Sequence, residues 1–271
     1  MTHSRPAVRE LLTSHGLAPR RDLGQNFVAD PNTVRRIAHL AGTGPGDHVV
    51  EIGAGLGSLT LALAETGAAV TAVEVDRGLA AVLREVVADL PTVTVVEADA
   101  MRLDWSALLG AERGWVLVAN LPYNVATPLV CDLLDGVPAV ERMLVMVQRE
   151  VGERLVAAPG SAGYGAVSVK VAYWASARLA GLVPAAVFMP KPNVESVLVE
   201  IVRRGPPDVA PEPLFALVRA AFGQRRKMLR RSLAGVVDAA TFAAAGVAET
   251  ARPEELGLDD WVRLTHAAHP R

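Results

Sequence analysis

Ahead of Gly205, short apolar runs alternate with longer amphipathic stretches. The runs are His48 to Ile52, Ala69 to Val75, Val93 to Glu97, Trp115 to Ala119 and Met143 to Gln148. Each has the length of a strand, and the stretches between them have the length of a helix. This is the signature of βαβ units, and it predicts an α/β fold: a mostly parallel, Rossmann-like sheet with helices on both faces. Ligands of such sheets bind beyond the carboxyl ends of the strands, so the chemistry is expected there. Upstream, Pro31 stands where a helix would start, and Val34, Ile37, Ala38 and Ala41 recur at helical spacing. Downstream, the runs Ala177 to Val183 and Val197 to Val202 leave no room for a helix between them, which predicts an antiparallel pair at the sheet edge.

The pattern changes at Gly205-Pro206-Pro207, with Pro211 and Pro213 close behind, and beyond that break it is Ala-rich and helical to the end. Three segments follow: an arginine-bearing arm over 1–30, an α/β domain over 31–204 and a small helical domain over 205–271.

Composition narrows the chemistry. With 271 residues, 51% of them hydrophobic, the chain can build a core without covalent staples. A single cysteine, Cys131, excludes a disulfide framework and suits a reducing compartment. The six histidines never fall at metal-ligand spacing beside a carboxylate, so no metal is expected. No apolar run approaches a membrane span and the first residues carry none, which predicts a soluble cytoplasmic protein. The net charge of −2 hides a segregation of sign: seven acids against three arginines between Glu74 and Asp104, then six bases and no acid from Arg219 to Arg231.

The first strand ends in Glu51-Ile52-Gly53-Ala54-Gly55-Leu56-Gly57, with Ser58 as a candidate helix cap. Glycines there allow positive φ and close approach of backbone to a ligand. The Gly-x-Gly-x-Gly spacing differs from the Gly-x-Gly-x-x-Gly that cradles a pyrophosphate, and it suits a ligand without phosphates. Glu74 ends the second strand about twenty residues on, placed to accept ribose hydroxyls. Asp99, just past the third, can accept an adenine amino proton. An acid-lined cleft of this kind fits a sulfonium cofactor bearing a ribose and an adenine, S-adenosylmethionine.

Asn120-Leu121-Pro122-Tyr123 follows the fourth strand. The exocyclic nitrogen of adenine is a poor nucleophile because its lone pair is delocalised into the ring. The Asn120 amide oxygen and the Leu121 carbonyl can accept its hydrogens and favour a pyramidal nitrogen aimed at a methyl group. Tyr123 can stack on an extruded base, and Phe188, in the rigid Phe188-Met189-Pro190-Lys191-Pro192 loop, can form the other side of a sandwich.

At these residues the chain resembles the ribosomal RNA adenine N6,N6-dimethyltransferases, specifically the bacterial small-subunit branch, the KsgA/RsmA family. The likeness runs from Gly24-Gln25-Asn26-Phe27 through the glycine turn and Asn120-Leu121-Pro122-Tyr123-Asn124 to Gln148-Arg149-Glu150-Val151. It continues through Tyr164-Gly165, Phe188-x-Pro-x-Pro-x-Val194-x-Ser196 and Phe222-x-Gln224-Arg225-Arg226-Lys227. The resemblance implies dimethylation of two adjacent adenosines in the 3′-terminal hairpin of small-subunit (16S) RNA, on a 30S assembly intermediate, by what is expected to be a monomer. It implies cofactor contacts at Asn26, Val28, Gly53, Glu74, Asp99 and Asn120, and an adenine pocket of Asn120, Leu121, Tyr123 and Phe188. Ala54 and Val28 stand where proline and leucine are frequent in the family. Together with the likeness, the basic run Arg225, Arg226, Lys227, Arg230 and Arg231 reads as a phosphate-neutralising surface, some of it sharing a face if the segment is helical. Two other readings stay open: the same chemistry on large-subunit (23S) RNA, as in macrolide-resistance methyltransferases, and a non-catalytic RNA-binding factor on the same fold.

Overall fold

The computed structural model of the chain describes residues 2–20, 24–122 and 125–269. Two compact units form, Met1–Gly152 with Arg178–Val202 and Glu153–Ala177 with Arg203–Arg271. The first contains α1 (Arg5–Ser14), β1 (Phe27–Val28), α2 (Pro31–Ala41), β2 (His48–Ile52), α3 (Ser58–Ala64), β3 (Ala69–Glu74), α4 (Arg77–Val86), β4 (Val93–Glu97), α5 (Trp105–Leu109), β5 (Trp115–Asn120), α6 (Ala126–Gly136) and β6 (Val140–Gln148). The chain continues through α7 (Arg149–Leu155), α8 (Ala166–Trp174), β7 (Ala175–Val183), β8 (Phe188–Met189) and β9 (Ser196–Arg203). It closes with α9 (Pro211–Phe222), α10 (Leu229–Ser232), α11 (Ala239–Ala245) and α12 (Leu258–Ala268).

The main sheet runs β4-β3-β2-β5-β6-β9-β7. Pairs from β4 to β6 are parallel, and β9 joins β6 antiparallel. The predicted pair of downstream runs therefore lies side by side at one end of the sheet, with β9 the inner strand. Helices cover both faces, so β5 buries Trp115 to Ala119 and β2 buries Val49 to Ile52, including Glu51. The chain steps outward from β2 to β3 and β4, then returns to the other side of β2 as β5. That reversal opens a crevice at the carboxyl ends of β2 and β5.

α2 forms where the pattern predicts it. Pro31 occupies its first turn, the Asp30 side chain caps the Thr33 N–H at 2.8 Å, and Gly42 ends it at φ 59°. Its buried residues are Val34, Ile37, Ala38 and Ala41.

The division of the chain differs from the expected one in two places. The arm over 1–30 is not separate: α1 buries Val8 and Leu12 in a cluster with Phe27, Leu56, Leu79 and Val82. The segment 153–177, expected in the α/β domain, belongs to the second unit, because Tyr164, Val169 and Tyr173 pack with Leu214, Leu217, Phe242 and Trp261. Backbone carbonyls hold both tyrosines, with Tyr164 Oη donating to Leu256 O at 2.7 Å and Tyr173 Oη to Val209 O at 2.6 Å.

Candidate active site

Three neighbouring strand ends build the site. Parallel register places Ile52 beside Val73 and Ala119, so Gly53, Glu74 and Asn120 emerge next to one another. Gly53, Gly55 and Gly57 adopt φ of 73°, 58° and 84°, which side-chain-bearing residues rarely adopt. At Gly57 a Cβ would also come within 2.8 Å of Leu83 Cδ1. Gly57 holds the cap position of α3, so Ser58 is its first helical residue and not its cap.

Glu74 fixes this turn from the side. Its Oε2 accepts the Gly55 N–H at 2.7 Å and its Oε1 the Asp76 N–H at 2.9 Å. Burial pushes its carboxyl above the usual range, against the Asp76 and Gly55 N–H groups, which favour the charged form. Asp76 in turn caps α4 through Gly78 N–H and Leu79 N–H.

One cavity is lined by Asn26, Val28, Glu51, Gly53, Ser58, Glu74, Asn120 and Leu121, among others. An adjoining one is lined by Val73, Val75, Asp99, Met101, Val125 and Leu129, and the two share Gly53, Val75 and Pro122. The six positions singled out for the cofactor thus fall on two abutting cavities. Asp99 is half exposed; its Oδ1 accepts the Met101 N–H at 2.9 Å, and Arg102 Nε stands 3.8 Å from Oδ2. Exposed Val75 and Met101 give its cavity an apolar wall suited to a flat ring.

Asn120 donates its side-chain N–H to the carbonyl of Asn26 at 2.9 Å. A carbonyl can only accept, so this bond fixes which end of the amide is nitrogen and leaves Oδ1 as the acceptor for another donor. Leu121 is tied through its N–H to Met146 O at 3.0 Å, and the Pro122 carbonyl accepts from Val125 and Ala126. These bonds hold Leu121 and Pro122 in place after β5. Tyr123 lies outside the described residues.

Phe188 lines neither cavity. Its ring is 1% exposed and packs among Val28, Val34, Ile37 and Leu59, and its backbone pairs with Val28. The sequence placed it against an extruded base; in the structure it lies beside β1 in a two-stranded antiparallel pair, and its ring packs on Val28, which lines the cofactor cavity.

Glu51 escaped sequence analysis as a site residue, although a carboxylate in the apolar run His-Val-Val-Glu-Ile was a visible anomaly. It is 2% exposed, lines the first cavity and accepts a 2.6 Å hydrogen bond from Thr60 Oγ1. Burial pushes its carboxyl up to about 8, opposed by the Thr60 hydrogen bond and reinforced by the charge of Glu74. Among the described residues the lining contains no lysine, arginine or histidine. The buried Ser58 hydroxyl on the same wall has no hydrogen-bond partner among the described residues. Two carboxyls with no lysine, arginine or histidine among the described lining residues, a hydroxyl open to a ligand and an apolar annex fit a cationic nucleoside such as S-adenosylmethionine.

The basic run lies in the second unit and is not one helix. α9 ends at Phe222, the chain turns through Gly223 to Met228, and α10 starts at Leu229. Arg225 Nε pairs with Glu254 Oε2 at 2.7 Å and its Nη2 donates to Ala162 O, while Arg230 pairs with Glu249 at 3.3 Å. Those two arginines pin the turn, and Arg226, Lys227 and Arg231 stand exposed beside them. Among the described residues no helix is long and apolar enough to cross a membrane, and no cluster of potential metal ligands occurs.

Comparison with known proteins agrees with this geometry. The family described as Ribosomal RNA adenine dimethylase matches residues 16–269. A protein of Leifsonia xyli named Ribosomal RNA small subunit methyltransferase A is 49% identical over 270 residues, covering 95% of each chain. Among solved structures, a dimethyladenosine transferase from Plasmodium falciparum superposes with a TM-score of 0.72 at 21% identity, covering 87% of this chain and 94% of that one. The 23S rRNA methyltransferase ErmE superposes with a TM-score of 0.68 at 26% identity, covering 89% of this chain and 98% of that one. A match of that extent, over a glycine turn, strand-end carboxylates and an anchored asparagine, means that this chain belongs to the ribosomal RNA adenine dimethylase family of S-adenosylmethionine-dependent methyltransferases.

Proposed function

We propose that the chain dimethylates N6 of two adjacent adenosines in the 3′-terminal hairpin of 16S RNA. It would act as a monomer, in the cytoplasm and without a metal, on an assembly intermediate of the small subunit. The observation that carries the catalytic part is the Asn26–Asn120 hydrogen bond, which holds an amide acceptor in fixed orientation at the switch point of the sheet. The small-subunit part rests on the likeness to proteins bearing that name.

Each residue has a task. Glu74, held by two backbone N–H groups, accepts hydroxyls of the cofactor ribose, and Asp99 accepts the amino group of its adenine. Val28, Asn26 and Gly53 shape the cavity between them. When bound, the cofactor supplies an activated methyl on a positively charged sulfur. Asn120 Oδ1 and the Leu121 carbonyl accept the two N6 hydrogens of the target, drawing its lone pair out of the ring system, and Tyr123 stacks on the extruded base. Positioning supplies most of the rate, and no strong base is required, because the nitrogen becomes acidic only once alkylated. Arg226, Lys227 and Arg231, on the turn held by Arg225 and Arg230, contact RNA phosphates.

ErmE favours a second reading, transfer to large-subunit RNA. Incubation with labelled cofactor and undermethylated small or large subunits separates the two. Label entering the small subunit alone supports the proposal; label entering the large subunit moves the enzyme to the second reading, and label entering neither points to a binding factor.

A further inference from the structure

Glu51 has no task in the proposed transfer, yet it is the more deeply buried of the two carboxyls on the cavity wall. We infer that Glu51, seated by the Thr60 hydroxyl, answers the positive charge of the cofactor by releasing its proton to solvent, so that cofactor binding and proton release are coupled.

The groups around Glu51 make this the economical outcome. Thr60 on α3 donates to it at 2.6 Å, and Glu74 on β3 is the charged group that faces it. The segment before β1 and the end of β5 contribute Asn26 and Asn120 to the lining, which are neutral. A second negative charge beside Glu74, buried and with no lysine, arginine or histidine among the described lining residues, is strongly disfavoured, so Glu51 stays protonated in the cofactor-free protein. Between the two acids the proton belongs on Glu51: Glu74 accepts two backbone N–H groups that favour its ionised form, whereas Glu51 has the single hydroxyl. Burial holds the Glu51 carboxyl at about 8, so neutral pH finds it protonated.

The cavity is built to receive a ligand on independent grounds. Ser58 is 8% exposed, and its hydroxyl, on the same wall, has no hydrogen-bond partner among the described residues. S-adenosylmethionine carries a sulfonium and an ammonium against one carboxylate, a net positive charge. Its arrival brings a positive charge to the two carboxyls and shifts Glu51 towards the carboxylate, with the proton passing to buffer and no other bond changing. Below the empty-state value binding then competes with protons, so affinity rises with pH by up to about tenfold per unit and levels off once Glu51 is ionised in the empty protein too.

The test is binding calorimetry of the whole protein with S-adenosylmethionine at pH 7, in phosphate and in Tris, whose ionisation heats differ. The wild type should release close to one proton more per cofactor than Glu51→Gln, and its affinity should climb from pH 6 to 8 more steeply than that of the variant. Glutamine keeps the size, the neutrality and an acceptor for Thr60, so the variant should fold. Thr60→Val should weaken affinity while keeping the proton release, because it removes support for the ionised form but not the acid. Equal proton release by wild type and Glu51→Gln would overturn the inference, as would a wild type that binds without releasing a proton. These readouts need no RNA, so their failure is separable from failure of the methylation proposal.

Discussion

The side-chain amide of Asn120 donates to the backbone carbonyl of Asn26 at 2.9 Å, across ninety-four positions of sequence. The bond joins the Gly-Gln-Asn-Phe segment before β1 to the Asn-Leu-Pro-Tyr segment after β5, and it turns an asparagine that could rotate into a fixed acceptor. Asn120→Ala should therefore cut single-turnover methyl transfer by on the order of a hundredfold, comparable to losing one oxyanion-hole donor, with RNA affinity nearly intact. Asn120→Asp should not rescue it: a carboxylate keeps the acceptor but meets the Asn26 carbonyl with no hydrogen to share. Rates with saturating cofactor, alongside RNA binding, check both variants, and full activity in Asn120→Asp would refute the role of the Asn26 bond.

Glu74→Ala should weaken S-adenosylmethionine binding by roughly 2 to 3 kcal/mol, about thirtyfold or more, since it removes a charged acceptor for the ribose. The Gly55 and Asp76 N–H groups lose their acceptor as well, so thermal stability should fall with affinity. Calorimetry and an unfolding curve read the two effects, and unchanged affinity contradicts the ribose assignment.

Phe188→Ala should cost about 3 to 5 kcal/mol of stability, as a fully buried phenylalanine does. A ring poised against an extruded base would leave the denaturation midpoint in place. Chemical denaturation distinguishes the two, and a midpoint unchanged from wild type would return Phe188 to the base.

Replacing Arg226, Lys227 and Arg231 together with glutamine should flatten the salt dependence of RNA binding, lowering the log–log slope by roughly 2 to 3. Arg225→Gln should act differently, loosening the turn by up to about 1 kcal/mol through its exposed pair with Glu254. Equal slopes in the triple variant and wild type would leave the segment without an RNA role.

The parallel sheet and the glycine turn were legible because local pattern dictates them: period, length and glycine placement follow from neighbours in sequence. The position of Glu74 and Asp99 at strand ends was legible because the apolar runs before them mark the strands. What remained hidden depends on long-range packing. The start of β6 at Val140 was missed because Glu141 and Arg142 interrupt the apolar run. The assignment of 153–177 turns on where Tyr164 and Tyr173 are buried, which no local period encodes. Burial likewise puts the Phe188 ring in a core cluster and makes Glu51 unusual, and the basic run is broken by the turn after Phe222, where a continuous helix remained possible on charge pattern alone.

The most direct measurement is of the RNA product itself. Small subunits purified from cells lacking this methylation, incubated with the protein and S-adenosylmethionine, should yield on nuclease digestion and mass spectrometry a 3′-terminal 16S fragment carrying two adjacent N6,N6-dimethyladenosines, and Asn120→Ala should yield almost none. A fragment that stays unmethylated while the protein binds cofactor, or dimethyladenosine found only in large-subunit RNA, would contradict the account.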